Sequence, residues 1–155
     1  MQYPSRLDAG SNPDAAPHAS RPFSEPDAVL LAAASDLNVA RSTRANLLVL
    51  GPGHLVKNVL KLVAPAGKRD TVVQAGEGQL QLPTASQPST LVIEDVDMLT
   101  IGEQRRLLEW LDGANTRTQV ISTASRPLLA RVEANMFNET LYYRLNTIYI
   151  DLFED

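Results

Sequence analysis

Five short apolar runs, each typical of a buried strand, restrict the fold of this chain more than any other feature. Helical patterns separate most of them, and chains that alternate strands with helices form a mostly parallel sheet covered by helices on its faces. The runs are NLLVL (46–50), TVVQA (71–75), TLVIE (90–94), QVIST (119–123) and TIYIDL (147–152). The alternation therefore predicts an α/β fold built on a mostly parallel sheet.

The first 24 residues differ in composition from the rest of the chain. They hold four prolines among small polar residues and hardly any large apolar side chain, so burial cannot offset the entropy lost on ordering. The whole chain, with 155 residues of which 44% are hydrophobic, is large enough to bury one core. We expect a flexible tail over residues 1–24 and one folded domain over residues 25–155.

Three helix starts carry signals in the sequence. Pro26 precedes an alanine-rich apolar run, which predicts a first helix over residues 26–36. Thr100 and Glu103 have the spacing of a capping box at the start of the helix IGEQRRLLEWLD. Asn138 is a typical N-cap residue for the helix ETLYYRL.

Composition excludes several classes of function. The net charge of −4 and the pI near 5.1 give no basic surface for a phosphate backbone, so we expect no direct contact with nucleic acid. The absence of cysteine excludes disulfides, thiolate metal sites and thiol nucleophiles. The longest apolar run near the start, AVLLAAA, is too short to span a membrane, and the first residues lack the pattern of a signal peptide. We expect a cytoplasmic protein.

The stretch LLVLGPGHLVKNVLKLV, residues 47–63, begins like a phosphate-binding loop. Such a loop has the form G-x-x-x-x-G-K-[ST], because backbone N–H groups must converge on the phosphate oxygens while the lysine reaches across them. Gly51 and Lys57 keep this spacing, whereas Val56 replaces the second glycine and Asn58 replaces the Ser/Thr. A β-branched residue resists the backbone angles that glycine allows, so the loop is incomplete.

Proline removes a further element of the loop, because Pro52 has no N–H group to donate. Gly51, Gly53, Lys57 and Asn58 remain the candidates for binding a nucleotide.

The same stretch has a second interpretation that involves no ligand. Val56, Val59, Leu60 and Val63 are spaced i, i+3, i+4 and i+7, which is typical of the buried face of a helix. Lys57 would then be a solvated lysine on the opposite side.

Acidic residues follow the third apolar run. Carboxylates at the carboxyl edge of a parallel sheet, facing a phosphate loop, are where Mg²⁺ and an attacking water are held. Glu94 is the candidate metal ligand and Asp95 the candidate catalytic residue. The alternative is that Glu94, Asp95 and Asp97 only solvate the end of the strand.

The C-terminal part, QVISTASRPLLARVEANMFNETLYYRLNTIYIDL, resembles the sigma-54 activator (bacterial enhancer-binding protein) branch of the AAA+ ATPases. In this family a strand with a sensor residue is followed by a phenylalanine, a helix and the signature LYYRLN, which residues 141–146 match without a change. The resemblance covers residues 26–152, with TLVIEDVDMLTIGEQRRLLEWL similar to the family's Walker B strand and following helix. It implies a three-layer P-loop fold on a five-stranded, mainly parallel sheet.

The resemblance also assigns roles near the phosphate loop and the acidic run. Lys57 matches the Walker A lysine, while His54 and Val56 stand where this branch has glycine. Glu94 and Asp95 stand where the family has aspartate and then glutamate, so the acidic pair is present in swapped order. ATP and Mg²⁺ are the implied cofactors, and we expect their binding to be weak or lost.

Further positions in the C-terminal part depart from the family's pattern. Ser125 replaces the sensor asparagine, and the resemblance makes it a further candidate for binding the nucleotide; Arg126 after it is kept. The family offers two arginines to a neighbouring subunit's nucleotide; the first position is Asn138 here and the second is Arg144, a candidate catalytic residue. An ion-pair or packing role for Arg144 is the equally weighted alternative.

Two parts of the family's architecture have no counterpart in the sequence. The family contacts sigma-54 through a GAFTGA surface loop, but the corresponding connection here is GEGQLQLPTASQPS, residues 76–89. We expect a short surface loop there, and no strong contact with sigma-54. The sequence also ends at DLFED, before the position of the family's helical lid.

These observations predict a degenerate sigma-54-activator-like AAA+ domain in transcription regulation, a protein-interaction or weak nucleotide-binding module and not an active ATPase. Other domains of a regulator or AAA+ protomers are the expected partners. The alternative is a domain that still binds and hydrolyses ATP; Val56, Ser125 and the swapped Glu94 and Asp95 count against it. A receiver-like signalling domain would need acidic residues after the first strand, where LGPGH has none.

Overall fold

The structure is a computed structural model, and the residues that it describes are 25–64, 70–75, 80–84, 89–113 and 118–153. The predicted flexible tail over residues 1–24 lies outside the described residues.

Helices and strands alternate along most of the chain, as the apolar runs predict. Their bounds are α1 Glu25–Thr43, β1 Leu47–Leu50, α2 Gly53–Val63, β2 Asp70–Gln74, β3 Ser89–Glu94, α3 Ile101–Asp112, β4 Thr118–Ala124, α4 Leu128–Glu133, α5 Glu139–Leu145 and β5 Ile148–Asp151. A short 3₁₀ turn, Val96–Met98, joins β3 to α3. Among the described residues, no helix is long and apolar enough to cross a membrane.

The five strands form one sheet in the order β2-β3-β4-β1-β5, and every neighbouring pair is parallel. Leu47 of β1 pairs with Ile121 of β4 on one side and with Ile148 of β5 on the other. The prediction of five strands in a mainly parallel sheet is therefore confirmed. Each observed strand lies within one or two residues of the predicted run, because a buried central strand must be apolar along its whole length.

The two faces of the sheet carry separate cores, since successive side chains of a strand point to opposite sides. Leu48 and Leu50 of β1 belong to the core that α3, α4 and α5 cover, whereas Leu47 and Val49 belong to the core that α1 and α2 cover. Helices on both faces make the three layers that the sequence predicts.

The predicted helix caps are confirmed. The Glu103 N–H donates to Thr100 Oγ1 at 3.3 Å and the Thr100 N–H donates to Glu103 Oε2 at 2.8 Å, which completes the capping box of α3. The Leu141 N–H donates to the Asn138 side-chain oxygen at 2.8 Å at the start of α5. Helix α1 extends beyond the predicted residue 36, because Leu37 and Ala40 continue its buried face.

The connection over residues 76–89 differs from the expected surface loop in its described part, residues 80–84. Leu80 is 1% exposed and belongs to the core under α3. The Trp110 indole N–H donates to the Pro83 carbonyl at 2.9 Å. The expectation is wrong here because the apolar side chains of Leu80 and Leu82 pack against the sheet face and outweigh the turn-forming residues around them.

Candidate functional site

The carboxyl ends of three neighbouring strands bring together four of the eight predicted site residues. In the sheet β4 lies between β3 and β1, so their last residues are adjacent at one edge. Gly51 follows β1, Glu94 ends β3, Asp95 comes directly after it, and Ser125 follows β4. This edge is the place where ligands bind in open parallel sheets.

Gly51 is required by the packing of the sheet itself. Its N–H donates to the Ala124 carbonyl at 3.1 Å, which continues the pairing of β1 with β4. A Cβ atom at position 51 would lie 2.7 Å from the Cβ of Leu152, closer than real Cβ atoms approach other atoms. Glycine at this position is therefore explained by the close approach of Leu152, without any ligand.

The segment that would form the phosphate loop is the first turn of α2. Pro52 is the N-cap, and its carbonyl accepts hydrogen bonds from the N–H groups of Leu55 at 3.0 Å and Val56 at 3.1 Å. The helix thus begins at Gly53, four residues before Lys57. The amides of Leu55 and Val56 are engaged inside the helix and do not converge on a ligand.

The side chains of α2 divide into a buried face and an exposed face. Leu55, Val56, Val59 and Val63 are buried in the core shared with α1. The exposed residues of the helix include the predicted site residues Gly53, Lys57 and Asn58, together with His54. The structure therefore agrees with the apolar-face interpretation of this stretch, and Lys57 lies on the surface.

The acidic pair lies at a sharp change of chain direction. Glu94 and Asp95 are half-buried, and Asp95 adopts φ 54° and ψ 46°, a left-handed conformation that is uncommon for residues other than glycine. The Asp95 N–H donates to Thr123 Oγ1 at 3.2 Å, which ties the turn to β4. Among the residues that the structure describes, no group of three or more His, Cys, Asp or Glu side chains is placed to hold a metal ion.

Asp97 is the residue at this edge that sequence reasoning missed. Its side chain is fully buried, so the interpretation of Asp97 as a solvating residue is wrong. Arg126 Nε donates to Asp97 Oδ2 at 3.0 Å, and the N–H and hydroxyl of Ser125 make longer contacts of 3.5 Å to the two carboxylate oxygens. Arg126, the second residue after the neighbouring strand β4, is the only hint of this ion pair in the sequence, and it does not identify Asp97 as the partner.

Arg144 belongs to α5, and its guanidinium lies at the C-terminal end of α3. Its Nη1 atom forms an ion pair with the Asp112 carboxylate, and its Nη2 atom donates to the Leu111 carbonyl at 2.9 Å. The Arg144 carbonyl accepts a hydrogen bond from the Asn46 side chain at 2.9 Å. The contacts to Asp112 and Leu111 hold the guanidinium within the domain, as the ion-pair interpretation expects. A cation at a helix C-terminus is also favoured by the helix dipole.

Gln104 is a second polar residue that the sequence did not single out. Its buried amide donates to the carbonyls of Leu99 at 3.0 Å and Met136 at 3.1 Å, and its oxygen accepts from the Asn138 N–H at 2.8 Å. The side chain thus joins the start of α3 to the start of α5. Asn138, the first candidate arginine position, is held in this network.

One titratable group on the outer strand has a shifted pKa. The pKa of the Tyr149 phenol is raised to about 12. Burial is the larger cause, and the negative charge of Asp151 is the second. The Tyr149 hydroxyl donates to Asp151 Oδ2 at 3.3 Å. Tyr149 therefore stays protonated at neutral pH.

A comparison with protein families gives a match over most of the chain. The sequence profile of the family described as "Sigma-54 interaction domain" matches residues 28–154. The comparison with curated proteins gives no match to the sequence.

Several solved structures share the fold. NtrX from Brucella abortus in complex with ATP superposes with a TM-score of 0.62 and 14% identity, over 80% of this chain and 36% of that one. The same protein in complex with ADP gives a TM-score of 0.59 and 16% identity, over 84% of this chain and 36% of that one. The P-loop NTPase domain of the sigma-54 transport activator from E. coli superposes with a TM-score of 0.53 and 16% sequence identity, over 72% of this chain and 98% of that one. This chain thus spans about a third of NtrX and nearly all of the isolated NTPase domain, and the similarity is one of P-loop NTPase fold.

Proposed function

This chain belongs to the sigma-54 interaction domain family, and from that membership we propose that it serves transcription regulation as a protein-interaction domain which binds nucleotide weakly or not at all. Its partners are other domains of a regulator or AAA+ protomers, and it acts in the cytoplasm. It is not an active ATPase.

The observation that carries this proposal is the hydrogen bonding of the first turn of α2. A phosphate cradle needs several backbone N–H groups that are free and aimed at one point. Pro52 supplies no N–H, and the amides of Leu55 and Val56 donate to the Pro52 carbonyl. Releasing them for a phosphate would unwind a turn whose Leu55 and Val56 side chains are buried in the core. The residues present therefore do not fit ATP as a P-loop would hold it.

The position of Arg144 supports the absence of ATPase activity. Phosphoryl transfer relies on positioned charges, and an arginine supplied across an interface contributes about 10³-fold or more in rate. Arg144 already contacts Asp112 and the Leu111 carbonyl in its own domain. Presenting it to a neighbouring subunit would break both contacts.

The surface of α5 is our proposed contact region for partners. Tyr143 is 62% exposed and stacks edge-on against Tyr142, with ring centres 5.2 Å apart. Exposed aromatic side chains are enriched among residues that dominate binding energy. We do not propose sigma-54 itself as the main partner, because the described part of the 76–89 connection packs into the core at Leu80.

A domain that binds and hydrolyses ATP is the second candidate function. It is favoured by the shared edge of Gly51, Glu94, Asp95 and Ser125, and by the ATP and ADP found with NtrX. In this case Lys57 would bind the phosphates, Asn58 would lie beside it, Glu94 would hold Mg²⁺, and Asp95 would position the attacking water.

Calorimetric titration with Mg-ATP, together with thermal unfolding, tests whether the domain binds ATP. A ligand at a thousandfold excess over its dissociation constant stabilises the native state by about 4 kcal/mol, so even moderate affinity is detectable. We expect no saturable heat and almost no change in melting temperature. Lys57→Ala is the test variant, and Lys61→Ala, an exposed lysine on the same helix, is the matched control.

Saturable stabilisation that disappears in Lys57→Ala but persists in Lys61→Ala would contradict weak binding. Phosphate release that grows with protein concentration and is lost in Arg144→Ala would contradict the absence of ATPase activity.

A further inference from the structure

We infer that the Asp97 carboxylate occupies an anion site formed by the end of β4, where it stands in for the phosphate group of an external ligand. The inference rests on the proposed function, because it explains how this edge of the sheet is held without a nucleotide. The ligand class that the site would take, if Asp97 were removed, is inorganic phosphate or a phosphate ester.

The first support is the burial of Asp97. Burying a carboxylate is costly unless charged and polar donors replace the water that it loses. The Asp97 side chain has no exposed surface, and its described donors are Arg126 Nε at 3.0 Å with the N–H and Oγ of Ser125 at 3.5 Å. The carboxylate is therefore held by donors from the end of one neighbouring strand.

The second support is the kind of donors involved. A backbone N–H, a hydroxyl and a guanidinium from two consecutive residues form a set that binds phosphate oxygens as well as carboxylates. Ser125 is also the position at which the sequence predicts a nucleotide contact. The donors that would contact a phosphate at this edge are thus already engaged by Asp97.

The third support is the turn that places Asp97. The left-handed conformation of Asp95 reverses the chain after β3, and the Met98 N–H donates to the Asp95 carbonyl at 2.7 Å. Val96 is fully buried, and the Asp95 N–H is tied to Thr123 Oγ1 at 3.2 Å. These contacts fix the backbone around Asp97 against the end of β4, and the fold itself thus places the carboxylate in the site.

The test compares Asp97→Ala with the unmodified chain by thermal unfolding in rising inorganic phosphate, at constant ionic strength set with chloride. We expect a lower melting temperature for Asp97→Ala in chloride and a saturable rise with phosphate. The rise should be about 5 °C at roughly twenty times the dissociation constant. The unmodified chain should not respond, and the double variant Asp97→Ala with Arg126→Ala should lose the response.

Asp112→Ala is the matched control, because it frees Arg144 without supplying the donors of Ser125. If phosphate raised the melting temperature of Asp112→Ala as much as that of Asp97→Ala, the effect would be general anion binding by a freed arginine. That result would overturn the inference. A phosphate response of the unmodified chain equal to that of Asp97→Ala would overturn it as well.

Asp97→Ser is the second variant in case Asp97→Ala does not fold, since serine keeps a hydrogen-bonding group in the buried position. A folded Asp97→Ser or Asp97→Ala without a phosphate response contradicts this inference alone. Saturable ATP binding by the unmodified chain contradicts the proposed function instead, so the two failures are distinguishable.

Discussion

Helices α2 and α3 each follow the carboxyl end of a strand, α2 directly and α3 after the short 3₁₀ turn, yet different forces hold their first turns. Helix α3 begins with the reciprocal hydrogen bonds of Thr100 and Glu103. Helix α2 begins with Pro52, whose side chain makes no cap, and is fixed by the burial of Leu55 and Val56. One helix start is held by directional polar contacts, and the other by apolar packing.

The difference extends beyond the two helix starts. On the α3 side the amide of Gln104 links α3 to α5. On the α2 side Gly51 and Leu152 are in close backbone-to-side-chain contact. Loss of a polar group should therefore be most damaging near α3, whereas added volume should be most damaging near α2. The amides of a helix start bind a ligand only where they are not already used, and in α2 the amides of Leu55 and Val56 are used within the helix.

Replacing Gln104 with leucine should give the largest effect and tests the polar side of the comparison. The substitution leaves the carbonyls of Leu99 and Met136 and the N–H of Asn138 without their partner in a buried site. Each orphaned group costs about 1–3 kcal/mol. Because the costs of neighbouring groups are not additive, we expect a total loss of about 3–5 kcal/mol in the free energy of unfolding. Urea denaturation measures it, with the exposed neighbour Arg105→Leu as a control. A loss below about 1 kcal/mol would show that packing also dominates here.

Replacing Gly51 with alanine should give an intermediate effect and tests the packed side. The new Cβ would lie 2.7 Å from the Cβ of Leu152, and such overpacking costs about 1–3 kcal/mol. Gly53→Ala is the matched control, because a Cβ there has no neighbour within 4 Å. We expect Gly53→Ala to be neutral or stabilising by up to about 1 kcal/mol. Equal melting temperatures for the two variants would refute the close-packing explanation of Gly51.

Replacing Tyr149 with phenylalanine should give the smallest effect, and the change of stability with pH above pH 9 isolates it. Because the pKa of Tyr149 is raised to about 12 in the folded protein, the folded state keeps a proton that the unfolded state releases near pH 10. Its contribution is complete below pH 10 and is lost as the pH rises from 10 to 12. Tyr149 is 43% exposed, so solvent screening limits the contribution to less than about 1 kcal/mol.

The measurement is the free energy of unfolding between pH 9 and pH 12, compared with that of Tyr149→Phe. The unmodified chain should lose stability more steeply over this interval. Tyr143→Phe, at a more exposed position, is the control, and parallel curves for the unmodified chain and Tyr149→Phe would disprove the expected contribution.

The fold was predictable from the sequence because its signals are local. Each strand is an apolar run, and the capping box joins Thr100 to Glu103 three residues away. The burial of Asp97 was not predictable, because its partner Arg126 is 29 residues away in the chain and becomes a neighbour only through the pairing of β3 with β4.

The glycine at position 51 illustrates the same limit. In the sequence it resembles the first glycine of a phosphate loop. In the structure glycine is needed there because Leu152, about a hundred residues later in the chain, packs closely against it. The roles of Lys57, Asn58 and Glu94 in binding a nucleotide stay predictions. Their observed positions, exposed for Lys57 and Asn58 and half-buried for Glu94, are compatible both with a bound ligand and with none.

The strand order has a consequence for how the protein is made on the ribosome. Strand β1 is the first strand to leave the exit tunnel, but its two neighbours, β4 and β5, begin only at Thr118 and Ile148. Both edges of the apolar strand β1 therefore stay unpaired until most of the domain has been translated. Pairing between segments that are distant in the chain is also slow. A nascent chain of this protein should be most dependent on chaperones in the interval between the synthesis of β1 and that of β5.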